Sequence, residues 1–385
     1  MANFLQCLNN FRREIDEYRG IWQNMKAELL VDSNQFWSSL QKDIADSQDC
    51  VYIQTLSFEG DCVGEMLSAE MLSSKSKDRR IIVDFYIKYV INDRFLYTLK
   101  NIFDTELQAE KTQTMNMIKG LNREGVNVKF TNPFGPILNK FPARNHKKMI
   151  LVDDHISYIG GINFSEHNFD WHDLMIRLED TEINGFLKKD FLKTWDGEHV
   201  YSEKAFDKFH FYLFDGFNNE SSFSVIFDLI DEAQESICIQ SAYISFPFYE
   251  KLRMAIGRGV KVTLIAPEKN NRSIIGHYTL YEAERSGIDL RLYTPGMTHV
   301  KYMMIDNRVL IFGSTNFDYV SYKIEQELIT VITDQEFIND FKMQVIDADL
   351  RQTKPFDGKL DKKKGRFYYL GLKAVGAIYT SIAKI

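Results

Sequence analysis

Short apolar runs recur along the chain in two matching series. Val51-Tyr52-Ile53-Gln54 in the first half answers Ile237-Cys238-Ile239-Gln240 in the second, each after a helix-like segment. A second helix-like segment and a buried-strand pattern follow in both: Arg80-Ile81-Ile82-Val83 and Lys261-Val262-Thr263-Leu264-Ile265. A third pair, Arg123 to Phe130 and Arg285 to Leu292, places Gly125 and Gly287 where a helix closes and a strand begins. Strands alternating with helices, then a hairpin turning at Asp153-Asp154-His155 and at Asp306-Asn307-Arg308, predict an α/β sandwich built twice. The repeats are expected at residues 30–185 and 205–345. A helical segment precedes them at 1–29, a linker joins them at 186–204, and a basic, amphipathic tail follows at 346–385.

Three departures from the repeat carry information. From Val83 to His146 the chain advances 63 residues, but only 35 from Leu264 to His299, so the first half holds 28 more. The surplus lies near Tyr89–Ile118 and is rich in Phe, Tyr, Leu, Ile and Met. It reads either as packing helices or as an entrance for acyl chains. The junction carries Phe186, Phe191, Trp195 and Tyr201 rather than Gly and Ser, so it is expected to pack against the body. In the tail, residues 367–385 read as a helix with Lys373, Thr380 and Lys384 on one face and Tyr368, Leu372, Val375, Tyr379 and Ile382 on the other. That pattern suits a helix lying among lipid headgroups or one docked on the protein body.

Chemistry enters with a motif that occurs twice. His146-Lys147-Lys148 through Asp153 and His299-Val300-Lys301 through Asp306 are both H-x-K-x4-D. Each feeds a turn ending in asparagine, Gly160-Gly161-Ile162-Asn163 and Gly313-Ser314-Thr315-Asn316, and the same seventeen residues separate histidine from asparagine. Along a strand, His146 and Lys148 point to one side, as do His299 and Lys301. Imidazole is nucleophilic near neutral pH and leaves readily, a neighbouring lysine steadies phosphate oxygens, and a carboxamide can donate to the same oxygens. The candidate catalytic set is therefore His146, Lys148, Asp153, His299, Lys301 and Asp306, with Asn163 and Asn316 on the phosphate. Each imidazole also needs an acceptor that fixes its tautomer. Asp173, ten residues after Asn163, and Glu327, eleven after Asn316, stand at matching strand mouths and are the candidates. The remaining histidines show no metal-ligand spacing, although His167 and His172 lie close to the motif in sequence.

The duplicated H-x-K-x4-D with its trailing G-G-x-N and G-S-x-N resembles the phospholipase D superfamily. Tyr158 to Asn163, Trp171-His172-Asp173, and Gly313 to Asp318 followed by Glu327 are similar to bacterial cardiolipin synthases of the phospholipase D type. The resemblance covers roughly residues 33–340. It implies two pseudo-symmetric repeats sharing one active site at their interface. It further implies His146 as nucleophile forming a phosphohistidine, His299 as general acid and base, Asp173 and Glu327 against the histidine rings, and Asp153 and Asp306 as largely structural. The implied activity is phosphatidyl transfer, most simply cardiolipin formation from phosphatidylglycerol. Hydrolysis of phospholipid to phosphatidic acid and a phosphodiesterase nuclease are the alternatives. Cardiolipin synthases often carry two N-terminal transmembrane helices; no stretch of this sequence reads as one, so the likeness is to their shorter relatives.

Composition bounds the partners. At 385 residues and 44% hydrophobic content the chain can bury a large core, and its net charge of −7 weighs against a general nucleic-acid binder. Basic residues do cluster between Arg351 and Arg366, as an anionic membrane surface would require. Cys7, Cys50, Cys62 and Cys238 form no disulfide or metal spacing, and the first residues lack the apolar run of a signal peptide. A reducing, cytoplasmic location with peripheral membrane association is expected, and no metal or other cofactor.

Overall fold

The computed structural model describes residues 26–135, 140–358 and most of 367–374. Its first sheet comprises β1 (Lys26–Val31), β2 (Cys50–Thr55), β3 (Asp78–Asp84), β4 (Asn127–Thr131), β5 (Met149–Val152), β6 (Ile156–Gly160) and β7 (Leu174–Glu179), in the spatial order β1-β7-β6-β5-β2-β3-β4. The second comprises β8 (Ser202–Phe206), β9 (Phe209–Leu213), β10 (Ser236–Gln240), β11 (Lys261–Pro267), β12 (Asp289–Tyr293), β13 (Tyr302–Ile305), β14 (Val309–Gly313), β15 (Leu328–Ile332) and β16 (Thr353–Pro355). Its order, β8-β9-β15-β14-β13-β10-β11-β12-β16, repeats the first with one strand added at each edge. In both sheets the three crossover-linked strands run parallel and the motif hairpin adds antiparallel partners.

The two sheets pack face to face. Met149, Leu151, Ile159 and Ile176 from the first share one buried cluster with Phe211, Met304, Leu310 and Leu328 from the second. The opposite face of each sheet carries its own helices. Phe36, Leu40 and Ile44 of α1 (Asp32–Asp46), Leu67 and Met71 of α2 (Cys62–Ser73) and Ile118 and Leu121 of α3 (Thr105–Arg123) cover the first. The second is covered by Ile226 and Ile230 of the helix at 224–232, Leu252 of that at 248–257 and Tyr278 of that at 273–286. The product is a four-layer α/β/β/α stack in which the strands, apolar on both faces, read as continuous hydrophobic runs. Aspartates start the helices: Asp61 accepts from Val63 and Gly64 amides, and Asp104 from that of Leu107.

Several boundaries differ from expectation for identifiable reasons. Residues 26–29 are strand, not the end of a helical segment, because Ala27, Leu29 and Val31 alternate onto the inter-sheet core while β1 pairs β7. The rest of that segment, 1–25, lies outside the described residues. The stretch 186–204 is no separate linker: it completes the helix Thr181–Trp195, whose Leu187 and Phe191 enter the inter-sheet core, and opens strand β8. Beyond residue 345, β16 extends the second sheet by pairing with β12. Most of the basic run and the last eleven residues of the tail lie outside the described residues. Of the part described, the Tyr368 ring lies tilted against that of His277 and Lys373 reaches Glu250. Among the described residues no helix is long and apolar enough to cross a membrane.

The 28-residue surplus packs on the first repeat and also reaches the space between the repeats. It forms a 3-10 turn at Phe85–Lys88, a hairpin of Val90–Ile91 and Arg94–Phe95, and the start of α3. Leu96, Leu107 and Ile118 are buried in the first repeat's outer core. Tyr86, Val90, Asp93 and Phe95 instead line a cleft between the repeats.

Candidate active site

Backbone pairing across the repeats builds the site. The His146 amide donates to the Gln326 carbonyl at 2.9 Å, and the Gln326 amide donates to the Arg144 carbonyl at 2.9 Å. The mirror set is present: the His299 amide donates to the His172 carbonyl at 2.7 Å, and the His172 amide to the Met297 carbonyl at 3.0 Å. Gln326 and His172 each immediately precede an acid. Each motif histidine is thereby stitched to the segment that presents the other repeat's carboxylate.

The acids consequently cross over. His146 Nδ1 meets Glu327 Oε1 at 3.0 Å, and His299 Nδ1 meets Asp173 Oδ2 at 2.8 Å. A carboxylate only accepts, so each contact places the proton on Nδ1 and leaves Nε2 with its lone pair. The two rings, Asn163 and Asn316 line one cleft of about 540 Å³. Lys148 and Lys301 lie beneath its floor, buried, with each Nζ donating to the carbonyl of its own motif histidine, Lys148 at 2.7 Å. Lys301 Nζ is also 2.9 Å from His299 Nδ1 and 3.9 Å from Asp173 Oδ2.

The Gly-rich turns explain how the acids fit. A Cβ on Gly161 would stand 2.3 Å from Asp173 Oδ1, so glycine there leaves room for the carboxylate. The second repeat has Ser314 at the same place, and its hydroxyl donates to Glu327. A second hydroxyl, of Ser321, donates to Glu327 Oε1 at 2.8 Å. Glu327 is thus saturated by His146 and two serines. Burial works against its ionised form, but the His146 and Lys148 charges and these donors hold it below the usual range. Asp173 is lowered likewise, with Lys301 and His299 overcoming burial.

The basic groups are lowered as well, which for them disfavours the charged form. Burial holds His146 below its ordinary value, with Lys148 and Lys301 adding to it against the pull of Glu327. Burial first and Lys301 second bring His299 to about 4. Burial also brings Lys148 to about 7 and Lys301 to about 8. Four basic groups share a desolvated pocket, and an oxyanion would relieve all of them.

Asp153 and Asp306 are not brought to the cleft. Each sits in its hairpin turn at positive φ, 54° and 52°, and accepts three backbone amides. Asp153 takes those of Gln48, Asp49 and Cys50, and Asp306 those of Gln234, Glu235 and Ser236. His172 is likewise outside it: paired with Asp32 at 2.6 Å and Asp349 at 2.9 Å, it is raised to about 10 despite burial. His167 does line the cleft.

Other lining residues had no signal in the repeat. Trp171 and Tyr243 flank the His299 ring, with centroids at 5.3 and 5.9 Å. Arg272 follows β11 where the first repeat carries its surplus after β3, and the two loops meet: Arg272 Nη2 is 3.2 Å from Asp93 Oδ1. Among the described residues, two groupings bring metal-type ligand atoms together: His146 with Glu325 and Glu327, and Glu59 with Asp61 and Glu110. In the first, Glu327 is already saturated and Lys148 supplies the positive charge. In the second, Asp61 caps α2 and accepts the Glu166 amide, and Glu59 accepts that of Asn92.

The sequence matches the family described as "Cardiolipin synthase, PLD-like domain" over residues 40–195 and 226–347, where PLD denotes phospholipase D. Cardiolipin synthase 1 of Staphylococcus epidermidis is 25% identical over 370 residues, covering 89% of this chain and 71% of that protein. The major cardiolipin synthase of Bacillus subtilis is 22% identical over 356 residues, covering 84% and 70%. The crystal structure of phosphatidylserine synthase from Haemophilus influenzae superposes with a TM-score of 0.67 over 92% of this chain and 95% of that one, at 14% identity, a likeness of fold alone. With the duplicated sheet, the shared cleft and a family match over most of its length, the chain belongs to the phospholipase D-like domain family of cardiolipin synthases, and is a phospholipase D-type enzyme.

Proposed function

We propose that the chain is a phosphatidyltransferase that forms cardiolipin from phosphatidylglycerol through a phosphohistidine. The observation that carries this reading is the pair of Nδ1-anchored imidazoles sharing one cleft above two buried lysines. Its donor phosphate sits between the histidines, with Lys148, Lys301, Asn163 and Asn316 on the non-bridging oxygens. His146 Nε2 attacks phosphorus as the bond to the leaving glycerol oxygen breaks, and His299 Nε2 gives that oxygen its proton. The acceptor hydroxyl then returns a proton to His299, its oxygen bonds phosphorus, and the His146 nitrogen leaves. The bound phosphate favours the His299 imidazolium this cycle needs, and Asp173 stabilises it. Family resemblance assigns attack to His146, since the two half-sites are nearly equivalent in geometry.

The acyl chains of both lipids have an apolar route at the mouth, where Phe95 and Phe141 stand with centroids 6.1 Å apart. Four and eight residues beyond Phe95 in the chain, Leu99 and Phe103 are 86% and 81% exposed, with Lys100 between them. Such a loop suits insertion into the headgroup layer of an anionic membrane, giving peripheral association. The chain's net charge of −7 offers no broad basic field for a nucleic-acid polyanion. Mass spectrometry of products from defined phospholipids tests the reading. Cardiolipin from phosphatidylglycerol vesicles is the expected product; phosphatidic acid alone would make the enzyme a hydrolase.

A further inference from the structure

Cardiolipin formation places two phosphodiesters in one cleft: the one under attack and, a glycerol away, that of the acceptor lipid. Two anions held so close need separate cations. The histidines and lysines surround the first. Two arginines line the cleft as well, Arg144 and Arg272, and their settings differ.

Arg144 is committed to structure. It is buried, with Nη1 on Asp84 Oδ1 at 2.6 Å and on the Asn132 carbonyl at 2.8 Å, and Nη2 on the Lys140 carbonyl. Asp84 in turn accepts the Asn145 amide at 2.7 Å, bracing the backbone next to His146. Arg272 stands at the mouth with its side chain 44% exposed. Its contacts are long: 3.2 Å to Asp93 Oδ1, 3.5 Å to the Asp93 carbonyl and 3.5 Å to the Tyr86 hydroxyl. Asp93 keeps another donor if Arg272 turns away, because Asn271 Nδ2 meets it at 2.8 Å. Tyr243 ties this loop to the proton-transfer side: its ring lies 5.9 Å from that of His299, and its hydroxyl donates to Asn271 Oδ1 at 2.6 Å.

We propose that Arg272 is the subsite for the acceptor's phosphodiester. Resting on the phosphatidyltransferase reading, this makes Arg272 the residue that selects a phospholipid acceptor over an alcohol that bears no phosphate. Its fork can grip two phosphate oxygens once released from Asp93. The lipid's terminal glycerol hydroxyl then reaches inward towards phosphohistidine 146 and His299.

An internal competition tests it. Phosphatidylglycerol vesicles are supplied with deuterated glycerol, so one covalent intermediate partitions between cardiolipin and deuterated phosphatidylglycerol. Arg272→Gln should lower the ratio of cardiolipin to the exchange product at least tenfold, with Arg272→Lys between it and wild type. Asp93→Asn, which breaks the same ion pair but leaves the guanidinium available, should keep or raise the ratio. An unchanged ratio in Arg272→Gln overturns the subsite, as does an equal fall in Asp93→Asn, which would reveal a structural latch. Wild-type enzyme that makes phosphatidic acid but neither cardiolipin nor the exchange product would remove the phosphatidyltransferase reading itself, and exchange without cardiolipin would remove the phospholipid acceptor.

Discussion

His146 and Glu327 are 181 residues apart in sequence and 3.0 Å apart in the fold. The carboxylate that orients one repeat's imidazole belongs to the other repeat, and Asp173 returns the arrangement to His299. Glu327→Gln should therefore slow phosphoenzyme formation by about 10²- to 10⁴-fold, through loss of tautomer control on His146. Asp173→Asn should slow turnover comparably but spare phosphoenzyme formation from a substrate with a good leaving group. Quenched-flow measurement of the covalent burst separates the two. Identical burst behaviour in both variants would contradict the crossover.

The two histidines should fail differently. His146→Ala should abolish turnover and any covalent adduct. His299→Asn should also stop turnover, yet accumulate an acid-labile adduct on His146 when the leaving group needs no proton. Peptide mass spectrometry locates it, and an adduct on His299 in the His146→Ala protein would reverse the assignment.

Oxyanion binding should be coupled to proton uptake. In the anion-free cleft burial holds Lys148 near 7 and Lys301 near 8, and a bound anion raises both. Affinity is then greatest below pH 7 and falls as pH rises past 8, by up to about tenfold per unit for each lysine that must be recharged. Tungstate is a suitable probe because it stays a dianion throughout. Calorimetry in buffers of different ionisation enthalpy should show proton uptake near pH 8, and an affinity flat from pH 6.5 to 9 would refute the coupling.

Asp153→Ala should injure the fold more than the chemistry. Three amides lose their acceptor, at about 1–2 kcal/mol of stability. The denaturation midpoint should drop while turnover per folded molecule stays within about threefold. A collapse of turnover at unchanged stability would place Asp153 in the chemistry after all.

The exposed loop carrying Leu99 and Phe103 should anchor the protein to lipid. Leu99→Ser with Phe103→Ser should weaken co-sedimentation with anionic vesicles and slow turnover on them, with an unchanged melting temperature, since both side chains face solvent. Undiminished vesicle binding by the double variant would assign membrane contact elsewhere.

Much of this was legible in the chain because both repeats bury strands on two faces, which leaves conspicuous runs such as Ile81-Ile82-Val83 and Leu264-Ile265. The acids were legible because each stands at the mouth of the matching strand, ten and eleven residues after its asparagine. What crosses between repeats was not. Nothing in the spacing says that Glu327 serves His146, because a periodic pattern specifies each sheet and not how two sheets dock. Strand β1 escaped notice as an edge strand whose Lys26 and Glu28 break the apolar run. Tyr243 stands where the first half has Ser57, and Arg272 where it has its surplus, so the repeat gives neither a matching residue and only their meeting with His299 and Asp93 in space reveals them.

The exchange of carboxylates makes this single polypeptide behave as two subunits tied together. A half-chain would hold a histidine and a lysine without the acid that readies the ring, and would be inert however well it folded. Chemistry should therefore switch on only when the sheets close on one another, and turnover would itself report assembly. Two separately made halves that regain it on mixing would have found each other through the inter-sheet core.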